Sequence, residues 1–141
     1  MNIDINSLGN RIFKALTEYL NSELSSTINI PVRQYAIENN YPIVVFEENT
    51  NTDTSHTKDK YRMNSTRAVS YSISILAIDT PNMTSYDICD LVSSKVANFM
   101  ENGLNMIGGI QGKFYNINNA KASKYVLRYN CTWDITNDTI C

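Results

Sequence analysis

The residues from Val69 to Ile78 alternate between two kinds of side chain with a period of two. Successive side chains of a β-strand point to opposite faces of a sheet, so this pattern predicts a strand with two unlike faces. The apolar face consists of Val69, Tyr71, Ile73, Ile75 and Ala77. The other face is small and mostly polar, with Ala68, Ser70, Ser72, Ser74 and Leu76. The chain must therefore form a sheet with one covered face, and the serine face either meets solvent or forms a close-packed contact surface.

Two amphipathic helices are predicted to cover the apolar face. The first runs from about Ile5 to Ser25, where apolar residues recur every four positions on one stripe of a helix. That stripe consists of Leu8, Ile12, Leu16, Leu20 and Leu24. The second helix begins near Thr84, which is suited to cap it together with Asp87, and Gly103 is predicted to end it. Its buried stripe consists of Ile88, Leu91, Val92, Val96 and Phe99.

The remaining apolar segments predict four more strands. Ile30–Ile37 and Pro42–Phe46 are predicted to form a hairpin through a turn at Glu38–Tyr41, because paired asparagines tolerate the backbone of a tight turn. The last two strands are predicted at Phe114–Asn118 and Lys124–Thr136. The chain as a whole predicts a single α+β domain over residues 1–141. Its sheet is expected to be mainly antiparallel, with four to five strands and both helices packed on one face.

Three glycines, Gly108, Gly109 and Gly112, precede the last two strands and indicate a flexible connection. The run superficially resembles a phosphate-binding loop. It lacks the Lys and Ser/Thr pair of such loops, however, and it precedes a strand instead of a helix. We therefore expect no nucleotide site at this connection.

A long polar loop is predicted at residues 48–64. Residues 48–60 include no apolar side chain. Such a segment buries too little apolar surface to offset the entropy lost on ordering, so we expect it to be mobile in the isolated molecule. Long loops within compact domains are typically functional or disordered, which makes this loop a candidate for ordering against a partner.

The charge and cysteine patterns exclude several classes of protein. The net charge is -2 and the 12 Lys and Arg residues are scattered, so the chain lacks the basic patch that nucleic-acid binding needs. No apolar run approaches the roughly 18 residues needed to cross a bilayer, and no signal peptide is visible at the start. Cys89, Cys131 and Cys141 lack the spacing of metal or redox sites, and Cys89 and Cys131 are predicted to be buried free thiols of a cytosolic protein.

No arrangement of residues points to catalysis. The single histidine, His56, lies in the polar segment without a rigid scaffold to position it. Glu47 and Glu48 are strand neighbours that point to opposite faces, and Asp87 and Asp90 suit the positive end of a helix dipole. We therefore expect no enzyme activity, no cofactor and no metal site.

The order of these features resembles the tail terminator (tail completion) proteins and related small neck proteins of long-tailed bacteriophages and phage-derived tail particles. The N-terminal helix is followed by Pro31-Val32-Arg33-Gln34-Tyr35, and the strand Tyr41–Phe46 runs into a polar loop. The long strand Val69–Ile78 leads to the helix at Tyr86-Asp87-Ile88, and a tyrosine-rich strand, Tyr125–Asp134, ends the pattern. The resemblance covers nearly the whole chain in order and spacing.

The resemblance implies a structural virion protein of the tail or neck, assembled in the host cytoplasm. Members of this family form a ring, commonly of six subunits, that caps the tail tube and joins it to the head. The expected partners are further copies of the chain, the tail tube protein and a head-tail connector or neck protein, while DNA passes through the bore without specific binding. The candidate assembly interface combines the polar loop and the serine face: Glu48, Asp53, Lys58, Asp59, Lys60, Tyr61, Arg62, Ser70, Ser72 and Ser74.

Two alternatives remain open at this point. A head-closure or other minor head-tail connector protein of the same virion would share the pattern and bind the head instead of the tube. A small cytosolic ligand-binding domain is the alternative from a different class, with the Gly108–Gly112 segment as the lip of its pocket.

Overall fold

The strand predicted from the alternating pattern lies at the centre of the observed sheet. This central strand, β3, spans Thr66–Ile78 and pairs antiparallel with strands on both of its sides. Those neighbours are β2, at Ile43–Asp53, and β5, at Ala120–Asp134. The computed structural model describes residues 8–35, 41–53, 66–117, 120–135 and 138–140.

The other elements complete an α+β fold, as predicted. They are the helices α1 (Leu8–Leu24) and α2 (Ser85–Ala97) and the strands β1 (Val32–Arg33), β4 (Ile107–Ile117) and β6 (Thr139–Ile140). The strand order is β1-β2-β3-β5-β4, and β6 pairs with the end of β5. Every pairing is antiparallel except that of β1 with β2, so the sheet is mainly antiparallel. The described sheet has six strands because the short strands β1 and β6 join its longer ones.

Both helices pack on the apolar face of β3. The predicted stripe of α1 is buried at Leu8, Ile12, Leu16, Leu20 and Leu24. Thr84 caps α2 as predicted, because its hydroxyl accepts a hydrogen bond of 3.1 Å from the Asp87 backbone N–H. The chain continues from α2 into a π-helical turn at Asn98–Gly103, and the left-handed conformation that follows belongs to Asn105. Cys89 and Cys131 are buried free thiols in this core, in agreement with the prediction.

The predicted hairpin of the first two strands is wrong. β1 has only two residues, Val32 and Arg33, and it pairs parallel to β2, whereas two strands of a hairpin are antiparallel. The Val44 backbone N–H donates to the Pro31 carbonyl at 2.9 Å, and this register buries Val32 in the core beside the helices. The predicted turn residues 38–40 lie outside the described residues.

The first part of the predicted polar loop is also wrong, because Glu48–Asp53 continues β2. Its backbone pairs with β3 as far as Asp53, with an irregularity between Glu48 and Thr50. The polar side chains gain partners across the strands: Asn49 donates to the Ser72 hydroxyl at 2.5 Å, and the Thr50 and Ser70 hydroxyls lie 2.7 Å apart. These cross-strand bonds replace the apolar burial that the sequence lacks. The rest of the predicted loop, residues 54–64, lies outside the described residues.

The predicted flexible connection at the three glycines is instead part of β4. Gly108 lies directly opposite Tyr129 of β5, and Gly112 lies opposite Tyr125. The tyrosine rings occupy the space that a side chain on either glycine would fill, which is how aromatic residues stabilise glycines in edge strands. A Cβ at Gly108 would come within 2.0 Å of the Arg128 carbonyl oxygen, whereas a Cβ at Gly109 would meet no atom within 4 Å.

The start of α1 is tied to the end of the described chain. Arg11 forms a two-point ion pair with Asp138, at 2.7 and 2.8 Å, and the Trp133 indole N–H donates to the same carboxylate at 2.9 Å. The Arg11 hydrogen bond, followed by that of Trp133, lowers the pKa of Asp138 to about 2.

Substitution of Gly108 and Gly109 by alanine should show which of the two glycines is required by close packing against β5. Gly108→Ala should lower the free energy of unfolding by about 1–3 kcal/mol, because its methyl group overlaps the backbone of β5. Gly109→Ala is the matched control and should remain within about 0.5 kcal/mol of the wild type. Urea denaturation followed by circular dichroism measures both values. Equal stability of the two variants would contradict the close approach at Gly108.

The Asp138 ion pair should make a pH-dependent contribution to stability. The carboxylate has a lowered pKa in the folded state, so its contribution is present above about pH 4 and is lost as the pH falls toward 2. Asp138→Asn should cost at most about 1 kcal/mol near neutral pH, because both side chains are partly exposed. Thermal melts from pH 7 to pH 2 should show the difference from wild type shrinking with acid. A difference that does not change with pH would exclude the carboxylate as its cause.

Candidate assembly surface

The predicted interface residues that the structure describes do not form one surface. Glu48 pairs with Tyr71 and lies on the helix-covered side of the sheet. The three serines, Ser70, Ser72 and Ser74, lie on the opposite side. Their register partners on β2 are Thr50, Glu47 and Val45, respectively. Asp53 ends β2 opposite Arg67. The other predicted residues lie outside the described part of the chain: Lys58, Asp59, Lys60, Tyr61 and Arg62.

The serine face is already closely packed within the single chain. Ser72 and Ser74 are only 7% and 8% exposed, and Ser70 is half-buried. The hydroxyls of Ser70 and Ser72 are engaged by side chains from β2. Of the two predicted alternatives, close packing therefore describes this row better than open solvent does, and the contacts that produce it are intramolecular.

Glu48 also has an intramolecular environment. Its carboxylate approaches the start of α1 so closely that a Cβ at Gly9 would lie 3.0 Å from its Oε1 atom. The neighbouring Tyr71 hydroxyl is buried, without a hydrogen-bond partner of ordinary geometry among the described residues. Burial, followed by the negative charge of Glu48, raises the pKa of Tyr71 well above its ordinary value. The phenol is therefore neutral at physiological pH.

Three large apolar side chains are exposed on β4. The sequence predicts a flexible connection for the glycine-rich part of this strand and a strand only from Phe114 onward. Ile110 and Phe114 are 50% and 62% exposed on the helix side of the sheet, and Ile107 is 77% exposed on the serine side. Tyr86 of α2 extends this surface, because its ring stacks on Phe114 with 5.8 Å between the ring centroids. The sequence does contain a signal for this strand. Gly108 and Gly112 are four residues apart, as are Tyr125 and Tyr129 of β5, so each glycine can lie opposite a tyrosine in an antiparallel pair.

β4 also has an unpaired edge. Among the described residues, its only strand partner is β5, so it is the last strand on this side of the sheet. The outer side of an edge strand presents backbone N–H and C=O groups that can pair with another strand. β4 thus combines free backbone hydrogen-bonding groups with exposed apolar side chains, which suits it to strand-to-strand contact with a protein.

A cavity of about 520 Å³ opens between the start of α2 and the adjoining ends of β4 and β5. Its aromatic walls are Tyr86, Phe114 and Tyr115, and Asp79 and Lys121 contribute charge. The Asp79 carboxylate accepts a hydrogen bond of 2.7 Å from the Ser85 backbone N–H. One of the two charged groups is therefore engaged by the protein, and the walls of the cavity are mainly apolar.

The described residues offer no group of three or more His, Cys, Asp or Glu placed to hold a metal ion. In the same part of the chain, no helix is both long and apolar enough to span a membrane. The chain matches no protein-family profile and no curated protein. The function must therefore be argued from the exposed strand and its surroundings.

Removal of the exposed ring from β4 should reduce self-association more than stability. Phe114→Ser should lower the free energy of unfolding by only about 0.5–1 kcal/mol, because the side chain is mostly exposed. We expect weaker association than wild type in sedimentation velocity, since contact between chains would bury this ring. Ile135→Ser, at an exposed apolar position outside β4, is the control. Equal association of Phe114→Ser and wild type would exclude this ring from the contact.

Proposed function

We propose that the protein is a structural component of a phage-type tail, a tail terminator that forms a ring on the end of the tail tube and joins it to the head or neck. The observation that carries the proposal is the unpaired, apolar edge of β4, which suits assembly through strand contacts. The order of helices and strands along the chain resembles that of tail terminator proteins, and this resemblance is the reason for proposing a phage-type tail.

The proposed mechanism is arrest of tube growth by capping. A ring requires a head-to-tail interface that closes on itself, so each copy contributes two different surfaces. One side of the ring matches the last ring of the tube, and the other side cannot accept a further tube subunit. DNA passes through the bore, and the small negative net charge suits a lumen that does not grip a polyanion.

The segment at residues 54–65 is proposed to make the contact with the tube. It includes Lys58, Asp59, Lys60 and Arg62, and such mixed charges suit complementary contacts with charged neighbours. Glu48 and the serine face are not part of this proposal, because their contacts are within the chain.

Two other functions would use features of the same surface. A head-closure or minor connector protein would use the same strand edge to assemble and would bind the head instead of the tube. A small ligand-binding domain is favoured by the cavity beside Tyr86 and Phe114. The predicted pocket lip at Gly108–Gly112 does not line that cavity, which is bordered by the other end of β4.

Native mass spectrometry tests the proposal. The full chain is measured alone and after addition of the tail tube protein from the same particle. We expect a closed ring, either alone or on the tube, because capping requires one ring per tube end. Replacement of residues 54–65 by a short Gly-Ser linker should leave the ring intact and weaken its binding to the tube.

A chain that stays monomeric and ignores the tube would overturn the terminator proposal. Binding to a neck or head protein without binding to the tube would favour the connector function. Saturable binding of a small aromatic compound, lost in Tyr86→Ala, would favour the ligand-binding domain.

A further inference from the structure

The two free edges of the sheet carry opposite charges. β2 includes Glu47, Glu48 and Asp53 and no Lys or Arg. Its two neighbours, β1 and β3, contribute Arg33 and Arg67, so the acidic residues stay in excess on this side of the sheet. The opposite edge is formed by β4, whose single charged residue is Lys113, and it is backed by β5, which carries Lys121, Lys124 and Arg128 against one acidic residue, Asp134. The sheet is therefore acidic along one margin and basic along the other.

Two residues of like charge face each other across the basic margin. Lys113 lies directly opposite Lys124, and like charges placed in this way destabilise a strand pair. The ion pairs among the described residues are Arg11 with Asp138 and Lys95 with Glu23, so neither lysine has a carboxylate partner in this part of the chain. Lys113 instead lies over the Tyr115 ring, 5.8 Å from its centroid. A carboxylate supplied from outside the chain would offset the repulsion between the two lysines.

The strand directions permit direct contact between the two margins. β2, β3, β5 and β4 alternate in direction, so β4 runs antiparallel to β2 within one chain. A second copy placed beside the first in the same orientation therefore brings its β2 antiparallel to the first copy's β4. β1 covers β2 only at Val44 and Val45, so the edge of β2 from Glu47 onward has no strand partner among the described residues.

We propose that β4 of one copy pairs antiparallel with the free edge of β2 of the next copy, with Glu47 placed beside Lys113. Both residues lie on the serine side of their strands, so a continuous sheet would bring them to the same face. The inference deepens the proposed ring, on which it rests, by naming the contact between copies. Pairing of two β4 strands with each other would instead oppose their basic margins.

The apolar side chains of β4 favour contact with another copy. Ile110 and Phe114 project on the helix side, and contact with another copy would remove them from water. A head-to-tail contact repeats from copy to copy and closes into a ring when its rotation allows. The same contact thus supplies both the neutralising charge and the symmetry of the proposed assembly.

Charge reversal tests the pairing. Lys113→Glu and Glu47→Lys change exposed positions and should each weaken self-association of the full chain by about tenfold or more. An equimolar mixture should recover association, because the acidic β4 of one variant meets the basic β2 of the other. Glu18→Lys, at an exposed position of α1 away from β4, is the matched charge control and should behave as wild type. A mixture that associates no better than either variant alone would overturn the proposal.

Cross-linking identifies the contact directly. Glu47→Cys and Lys113→Cys are made separately in a Cys141→Ser background, with the buried Cys89 and Cys131 retained, and are treated with a short bismaleimide, alone and with tail tube protein. The pairing predicts a cross-linked dimer in the mixture and none in either variant alone. A dimer from Lys113→Cys alone would overturn it in favour of β4-to-β4 contact. If the wild type forms a ring but the mixed cysteine variants do not cross-link, the edge pairing is overturned and the proposed ring is not. If the wild type does not associate at all, both the edge pairing and the proposed ring are overturned.

Discussion

The burial of β3 between two neighbouring strands and two helices is the constraint on which the rest of the structure depends. Tyr71, Ile73 and Ile75 have no exposed surface. β3 pairs with β2 and β5 along nearly its whole length, so its register fixes theirs. A shift by one residue would bring the serines against the helices and expose the apolar row, which makes the register strongly specified. The two faces of the whole sheet follow from this one strand.

The polar half of β2 shows how a strand persists without apolar side chains. Asn49 and Thr50 bond to the serines of β3, and Arg67 donates to both the side chain and the backbone carbonyl of Asn51. These contacts combine with the backbone ladder, so the strand extends beyond the last buried residue, Phe46. As a result, Glu47 and Glu48 belong to a strand and lie opposite Ser72 and Tyr71 of β3.

Edge strands are usually protected, since an open edge invites pairing with other chains. β2 meets this need with acidic residues, and β1 covers its first part. β4 is protected less: it is long, paired on one side and carries exposed isoleucines and a phenylalanine, with Lys113 as its only charge. Such an edge promotes aggregation of a chain that acts alone and provides an interface for a chain that assembles.

The sequence by itself determined the α+β class, the face of β3 that is buried and the stripe of α1, because these follow from local periodicity. It did not determine the parallel pairing of β1, the extension of β2 or the place of the glycines in β4. Those depend on partners distant in sequence: Ser72 for Asn49, and the rings of Tyr125 and Tyr129 for Gly112 and Gly108. The register between β2 and β3 also separates predicted interface residues, because it places Glu48 on the helix side of the sheet and the serines on the other side. Only the strand order decided which edges remain free, because a pattern of side chains does not specify which strand lies outermost.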